Sequence, residues 1–431
     1  MRNYILGGAQ LGQGYGHFVK STKLTQENLS GLMSFALLGG VKEIDGAQNY
    51  ANMFENIAKV DHESKVILLS YGLFHSGTHI STYEKFGEKL LVICDFESNY
   101  LEKSIQHDGF KYRVNTEPLK LGQTVVSVFP HETGSPSDID SACLVEYFAE
   151  DRVHRVLNIN DCVYDPVFLS NFSKFGQLDI LLLSYTGAGP YPQTYFELDD
   201  PELLVAAKSK KSQFIEQYLK IAELVPAKVR IPFAGQYLLG GKLSHLNSYR
   251  GVSDSYEIGQ IDSSAVILND YEGSIDTVSF KATGTKACLT STQEIDERLL
   301  EIKKQPMDYE AIPEWMISNK VLVSLLSSAL IRASRKSECN QDYFFCFKLP
   351  EGGSAIINAK KNSDMPIAIT GEELDGYLPR SEVAIDYRYL FGLLTGVFHW
   401  NNAESGSHLQ VRRIPNTYSR DAQNFLNFLT V

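Results

Sequence analysis

Five apolar runs constrain this chain most: VILLSY at 66–71, LLVICDF at 90–96, TVVSVFP at 124–130, RVLNIND at 155–161 and LDILLLSY at 178–185. Each is long enough for a strand and too short for a helix of three turns. Several carry no polar alternation, the pattern of strands buried on both faces or lying under helices. They predict strands at 66–71, 90–95, 124–129, 153–159 and 179–184, separated by helical or polar segments such as the amphipathic NYLEKSIQHDGF at 99–110. Asn158, Asn160 and Asp161 follow one run directly, so their polar groups emerge together at the C-terminal end of a strand, where ligands commonly bind. An Asx turn accounts for them equally well.

The chain ends differ from this middle. Residues 1–62 read as a βαβ unit: the strand YILGGAQLG, a helix from Thr25 to Leu38 with a 3.6-residue apolar period, the stop Gly39–Gly40, and the strand VKEIDGA. Residues 291–431 open with the charged helix QEIDERLLEIKKQ and an apolar helix at 318–333. The segments DYFFCFKLP and SAIINAK follow as a hairpin turning at Glu351–Gly352–Gly353. With 431 residues, three regions are expected: 1–62, a body at 63–290 and an α+β extension at 291–431 packed on it.

A formal charge of −12 disfavours a phosphate-backbone footprint, so no nucleic acid partner is expected. The one basic run, KSKKS at 208–212, reads as a solvated helix face. Six cysteines without CxxC spacing suit buried thiols in a reducing, cytoplasmic setting. No secretory leader is expected, and no apolar run reaches the roughly 20 residues of a membrane span.

Two resemblances attach to specific residues. LGGAQLGQGYG and GGVKEIDGAQNY resemble the opening of an aldo-keto reductase, with Asp45 and Tyr50 at positions of its catalytic tetrad. That resemblance implies NADPH and a tyrosine proton donor. It stops near residue 62, and the eight-fold barrel, which takes about 250 residues, does not continue. Asp45 as a turn cap and Tyr50 as a packing residue is the alternative.

From residue 63 onward, KLLVICDFESNYLEKSIQHDGF, LKLGQTVVSVFPHETGSPSDIDSACLVEY, VLNINDC, LDILLLSYTGAGPYPQTY and IPFAGQYLLGGKLSHLN resemble, in order, the metallo-β-lactamase-fold proteins related to the CMP-N-acetylneuraminate hydroxylase. The tail HWNNAESGSHLQVRRIPNTYSRDAQNFLNFL is similar to the end of the same group. The resemblance implies an α/β (α+β) architecture, an αββα sandwich carrying the N-terminal βαβ segment and the C-terminal extension. It also implies a metal-dependent hydrolase-like or oxygenase-like enzyme, or a silent relative, acting on a small acidic sugar or sugar nucleotide in surface-polysaccharide biosynthesis, the chemistry of sialic acid.

In that family an HxHxDH loop holds one or two metal ions. Aligning its closing histidine with His79 leaves Phe74, Ser76 and Thr78 where other ligands belong, and His75 off the pattern. The resemblance therefore implies a degenerate shell of His79, His131 and Asp161 for a single weakly held zinc or iron ion, or none, with His131 and Asp161 as catalytic residues. His245 is a further candidate, and as plain a loop histidine. In GAGPY, backbone N–H groups can approach an anion, which makes Tyr185, Gly187 and Tyr191 candidate substrate contacts. Arg412 and Arg413, near Asn401, Glu404 and His408, either clamp a carboxylate or phosphate or pair with acidic residues of the chain. The competing classes are an NADPH-dependent reductase and a non-catalytic binding or scaffold protein.

Overall fold

The computed structural model describes residues 5–7, 43–45, 68–69, 91–97, 112–134, 140–159, 161–233, 235–269, 273–365, 367–371 and 373–431. The chain divides into two units, the first formed by Met1–Gly187, Lys211–Gln236 and Val252–Ile295, the second by Ala188–Lys210, Tyr237–Gly251 and Asp296–Val431. The class is α+β.

In the first unit β1 (Ile5–Gly7) and β2 (Glu43–Asp45) pair in parallel, as a βαβ unit requires. The helix expected at 25–38 lies outside the described residues. Strands β3 (Leu68–Leu69), β4 (Leu91–Cys94) and β5 (Tyr112–Asn115) form a parallel three-stranded sheet. The main sheet has β6 (Leu119–Leu121), β7 (Thr124–Pro130), β8 (Ser141–Phe148), β9 (Val153–Asn158), β10 (Leu178–Ser184) and β11 (Ala227–Phe233) side by side in chain order. Strands β6 to β9 run antiparallel, whereas β9, β10 and β11 run parallel. Each of the five apolar runs thus contains a strand among the described residues, and an open mixed sheet excludes a closed parallel barrel. A hairpin of β12 (Ser274–Ile275) and β13 (Ala282–Thr283) completes the described strands of this unit.

Two helical elements cover the main sheet. Asp165 caps α1 (Pro166–Ser170), its carboxylate accepting from the Val167 and Phe168 N–H groups while Pro166 presets the first turn. The long helix α2 (Pro201–Leu224) brings Tyr218 and Ile221 onto Leu157, Leu181 and Leu183, and Phe168 and Phe172 join the same buried cluster. The short helix α3 (Ser255–Ile261) starts at a capping box of Asp254 and Glu257.

The second unit holds α4 (Thr292–Lys303) from Asp296 onward, then α5 (Asn319–Lys336), matching the two helices expected at 293–305 and 318–333. Strands β14 (Phe344–Lys348) and β15 (Ser354–Asn358) form the expected antiparallel hairpin, and β16 (Ala368–Thr370) extends it. On the other side β17 (Arg380–Ala384) runs parallel to β14, and β18 (Gln410–Ile414) antiparallel to β17. Between them come α6 (Tyr387–Leu394) and α7 (Trp400–Ser405), with α8 (Arg420–Leu426) last. Phe347 and Trp400 sit 6.2 Å apart in the core, Phe345 and Phe425 stack at 6.1 Å, and the Trp400 indole donates to the Leu429 carbonyl at 2.9 Å. No helix among the described residues is long and apolar enough to cross a membrane.

Candidate functional site

Strand direction gathers chemistry at one edge of the first unit. Because β7 and β9 both run against β8, they run the same way, and β10 and β11 follow β9. Register places Val128, Cys143, Asn158, Leu182 and Ile231 in one row across the sheet. His131, Asp161 and Tyr185 each lie three residues beyond that row at the C-terminal edge. His131 and Asp161 rise from strands two apart, an offset of about 10 Å at the usual strand spacing.

His131 is 2% exposed. Its N–H donates to the Asp140 carbonyl at 2.9 Å, and its ring packs on Phe168 with centroids 4.6 Å apart. The Nε2 atom has no hydrogen-bond partner, with the Asp165 carboxylate facing it at 3.7 Å. Two further buried hydroxyls at this edge are also unpartnered, Ser141 Oγ at the start of β8 and Thr186 Oγ1 just after β10. The loop after β7 meets the end of β4, where the Glu97 N–H donates to Glu132 at 2.8 Å. Asp161 stands in an exposed turn, and desolvation by the surrounding protein raises its carboxyl pKa.

Among the described residues no three His, Cys, Asp or Glu side chains come together to hold a metal ion. His131 and Asp161 share an edge, but the carboxylate that faces His131 is Asp165. The sequence signal for Asp165 was present in the pair Asp165–Pro166, a helix N-cap directly after the NIND segment. His79, with the whole loop at 74–79, and Tyr50 lie outside the described residues. Asp45 ends β2 opposite Gly7.

The remaining candidates divide between the units. In the first, the buried Tyr185 ring lies against Gly235 and the Phe214 ring against Gly187, where in each case a Cβ would clash at 1.9 and 2.6 Å. In the second, the exposed Tyr191 ring stands about 6 Å from those of Tyr195 and Phe196. Asn401 is the second residue of α7. Glu404, on the same helix, accepts a hydrogen bond from Gln423, and burial pushes its carboxyl up to about 7.

Consecutive strand residues point to opposite faces, which separates the two arginines of β18. Arg412 is largely exposed, 4.0 Å from Glu382, while Arg413 lays its guanidinium 4.1 Å from the Tyr195 ring and 5.0 Å from that of Tyr418.

A cavity of about 320 Å³ lies within the second unit. Its wall includes Gln193, Lys242, Asp386, Tyr389 and His408, with His245 at its exposed side. The His408 ring sits 4.4 Å from that of Tyr389, and Lys242 pairs with Asp386 while standing 4.8 Å over the Tyr309 ring. Burial works against the Asp386 charge, but Arg388 and Lys242 outweigh it and hold the carboxyl down at about 2. His245 Nδ1 is 2.8 Å from the Lys242 carbonyl.

No protein-family model matches this sequence, and no curated protein matches it. Solved structures show partial likeness, among them the following three. CmlA, a diiron β-hydroxylase from Streptomyces venezuelae, is 14% identical over 46% of this chain and 40% of its own length, with a TM-score of 0.26. A protein described as a possible metal-dependent hydrolase, from Veillonella parvula DSM 2008, is 8% identical over 65% of this chain and 88% of its own, at 0.31. A B3 metallo-β-lactamase with an active-site glutamic acid is 12% identical over 50% and 77%, at 0.23.

Proposed function

We propose that this chain is a metallo-β-lactamase-type protein, related to the CMP-N-acetylneuraminate hydroxylase group, with a reduced metal shell and an acidic sugar or sugar nucleotide as its ligand. The observation that carries this reading is the edge of the first unit, where His131 Nε2, Ser141 Oγ and Thr186 Oγ1 are buried without partners. Buried polar atoms left unmatched cost free energy, so a cluster of them at a strand-end edge favours a bound group. A divalent zinc or iron ion there supplies Lewis-acid activation of water. His131 would hold it together with Asp165 or Asp161, and His79 is the further ligand implied by the resemblance. Ser141 and Thr186 would orient the ligand by hydrogen bonds. The thiols fit a reducing compartment, since all five described cysteines are free and Cys288 is exposed.

Elemental analysis of protein purified without chelator tests this reading. About one zinc or iron ion per chain, lost in His131→Ala, is expected. No stoichiometric metal in the parent protein would rule out the metal-dependent reading and favour a silent binding protein. A second reading, an NADPH-dependent reductase, rests on the parallel β1–β2 pair with Asp45 at its end. A fluorescence titration without NADPH binding removes it.

A further inference from the structure

The second unit buries two cations that have no acidic partner among the described residues. Lys210 and Arg250 are each 8% exposed. Buried lysines and arginines are ordinarily paired, and even the partly buried Lys286 and Arg230 sit on Asp254 and Asp262. Lys210 instead donates to the Tyr191 carbonyl at 2.8 Å, and Arg250 Nε to the Asn247 carbonyl at 3.0 Å. The Arg250 guanidinium lies 4.8 Å from the Tyr237 ring centre, and its Nη1 is buried with no hydrogen-bond partner. Gln193 Oε1 is also buried without a hydrogen-bond partner, and the buried Tyr237 hydroxyl stands beside the Gln193 side chain and the Gly189 backbone. Desolvation, and then the charge of Arg250, lower the Lys210 pKa to about 8.

The backbone is shaped to bring these groups together. Gly251 has φ +64, and a Cβ there would stand 2.3 Å from the Ala207 carbonyl, so only glycine lets the turn after Arg250 press onto α2 one turn before Lys210. Leu203, Ala207 and Lys210 follow one another at i, i+4 and i+7, the buried stripe of the helix. Lys208 faces solvent as expected for KSKKS, but Lys210 does not, which corrects the reading of that run as wholly solvated.

We infer that Lys210 and Arg250, with the Tyr237 hydroxyl, form an oxyanion subsite of the second unit that takes the carboxylate or phosphate group of a small ligand. An oxyanion offers the guanidinium a second hydrogen-bonded edge and the ammonium a countercharge, and it relieves the repulsion between the two. Tyr191, whose carbonyl receives the lysine, is one of the substrate contacts expected from the sequence. The subsite requires no metal, so it stands or falls independently of the reading of the first unit.

The test is thermal unfolding of the full chain, dialysed free of oxyanions, in inorganic phosphate, sodium acetate or sodium chloride at matched ionic strength. A saturable rise in Tm over chloride, roughly 1–2 °C at tenfold excess over Kd and growing with further ligand, is expected with at least one oxyanion. Phosphate alone assigns a phosphoryl group, and acetate alone a carboxylate. The rise should vanish in Lys210→Met and Arg250→Met and persist in the exposed control Lys208→Met. Should Arg250→Met not fold, Lys210→Met and the conservative Arg250→Lys carry the test. No rise beyond chloride, or a rise that survives in Lys210→Met, overturns the inference.

Discussion

Two buried clusters in this protein use similar parts and reach opposite results. In the first unit Arg230 grips Asp262 through two hydrogen bonds of 2.6 Å, while the Tyr218 hydroxyl and the Ser264 N–H donate to the same carboxylate at 2.8 and 3.0 Å. In the second unit an arginine and a tyrosine recur, Arg250 and Tyr237, beside Lys210, but among the described residues no carboxylate completes the set. A buried charge is tolerable when its partners are built in. The first cluster is therefore a closed structural unit, and the second has donors to spare. Burial alone does not distinguish structure from function here. The count of satisfied hydrogen bonds does.

The largest expected effect breaks the closed cluster. Asp262→Ala leaves the partly buried Arg230 and the buried Tyr218 hydroxyl without their shared partner, and should cost about 3 kcal/mol in denaturant unfolding. Lys210→Met, in oxyanion-free buffer, should instead leave stability within about 1 kcal/mol of the parent or raise it, because removing one of two unpaired cations relieves desolvation and repulsion. Equal losses in the two variants would erase the contrast.

The pH dependence sharpens the same point. Lys210 has a folded pKa of about 8 against the ordinary lysine value of 10.5, so the unfolded chain binds more protons between those values and this group's contribution makes stability rise with pH across that window. The groups that face it are Arg250, which repels it, and the Tyr191 carbonyl, which accepts from it. The parent should therefore gain on Lys210→Met as pH rises from about 8 to 10.5. Glu404 has the opposite sign. Its pKa is raised from 4.5 to about 7, so the folded state binds more protons in between and stability contributed by this group is lost as pH rises through that range. Glu404→Gln should flatten that loss in a series of melts from pH 4.5 to 7. The smallest effect belongs to the hairpin: Gly353 has φ +80 and a Cβ there would lie 2.5 Å from the Thr370 carbonyl. Gly353→Ala should lower stability by roughly 1 kcal/mol or more, read from the Tm.

What could be read beforehand follows from how local each feature is. The apolar runs declared β7, β9 and β10 of the main sheet because burial under helices leaves its mark residue by residue, and Glu351–Gly352–Gly353 declared the hairpin because positive φ demands glycine. The parallel pairing of β17 with β14 left no such mark, since its partners stand far apart in the chain. At the sheet edge His131 was legible as a strand-end residue, whereas its facing carboxylate, Asp165, depends on where α1 begins. Lys210 and Arg250 come from separate segments, and only the helical period through Leu203 and Ala207 hinted that one lysine of KSKKS turns inward.

The metal site proposed at the C-terminal edge of the first unit, at His131, is open to direct measurement. Calorimetric titration of zinc into the parent, His131→Ala and Lys210→Met tests it most directly. One site is expected in the parent, weakened at least tenfold in His131→Ala and unchanged in Lys210→Met, which alters only the second unit. Absence of binding heat in the parent, or equal affinity in the parent and His131→Ala, would contradict it.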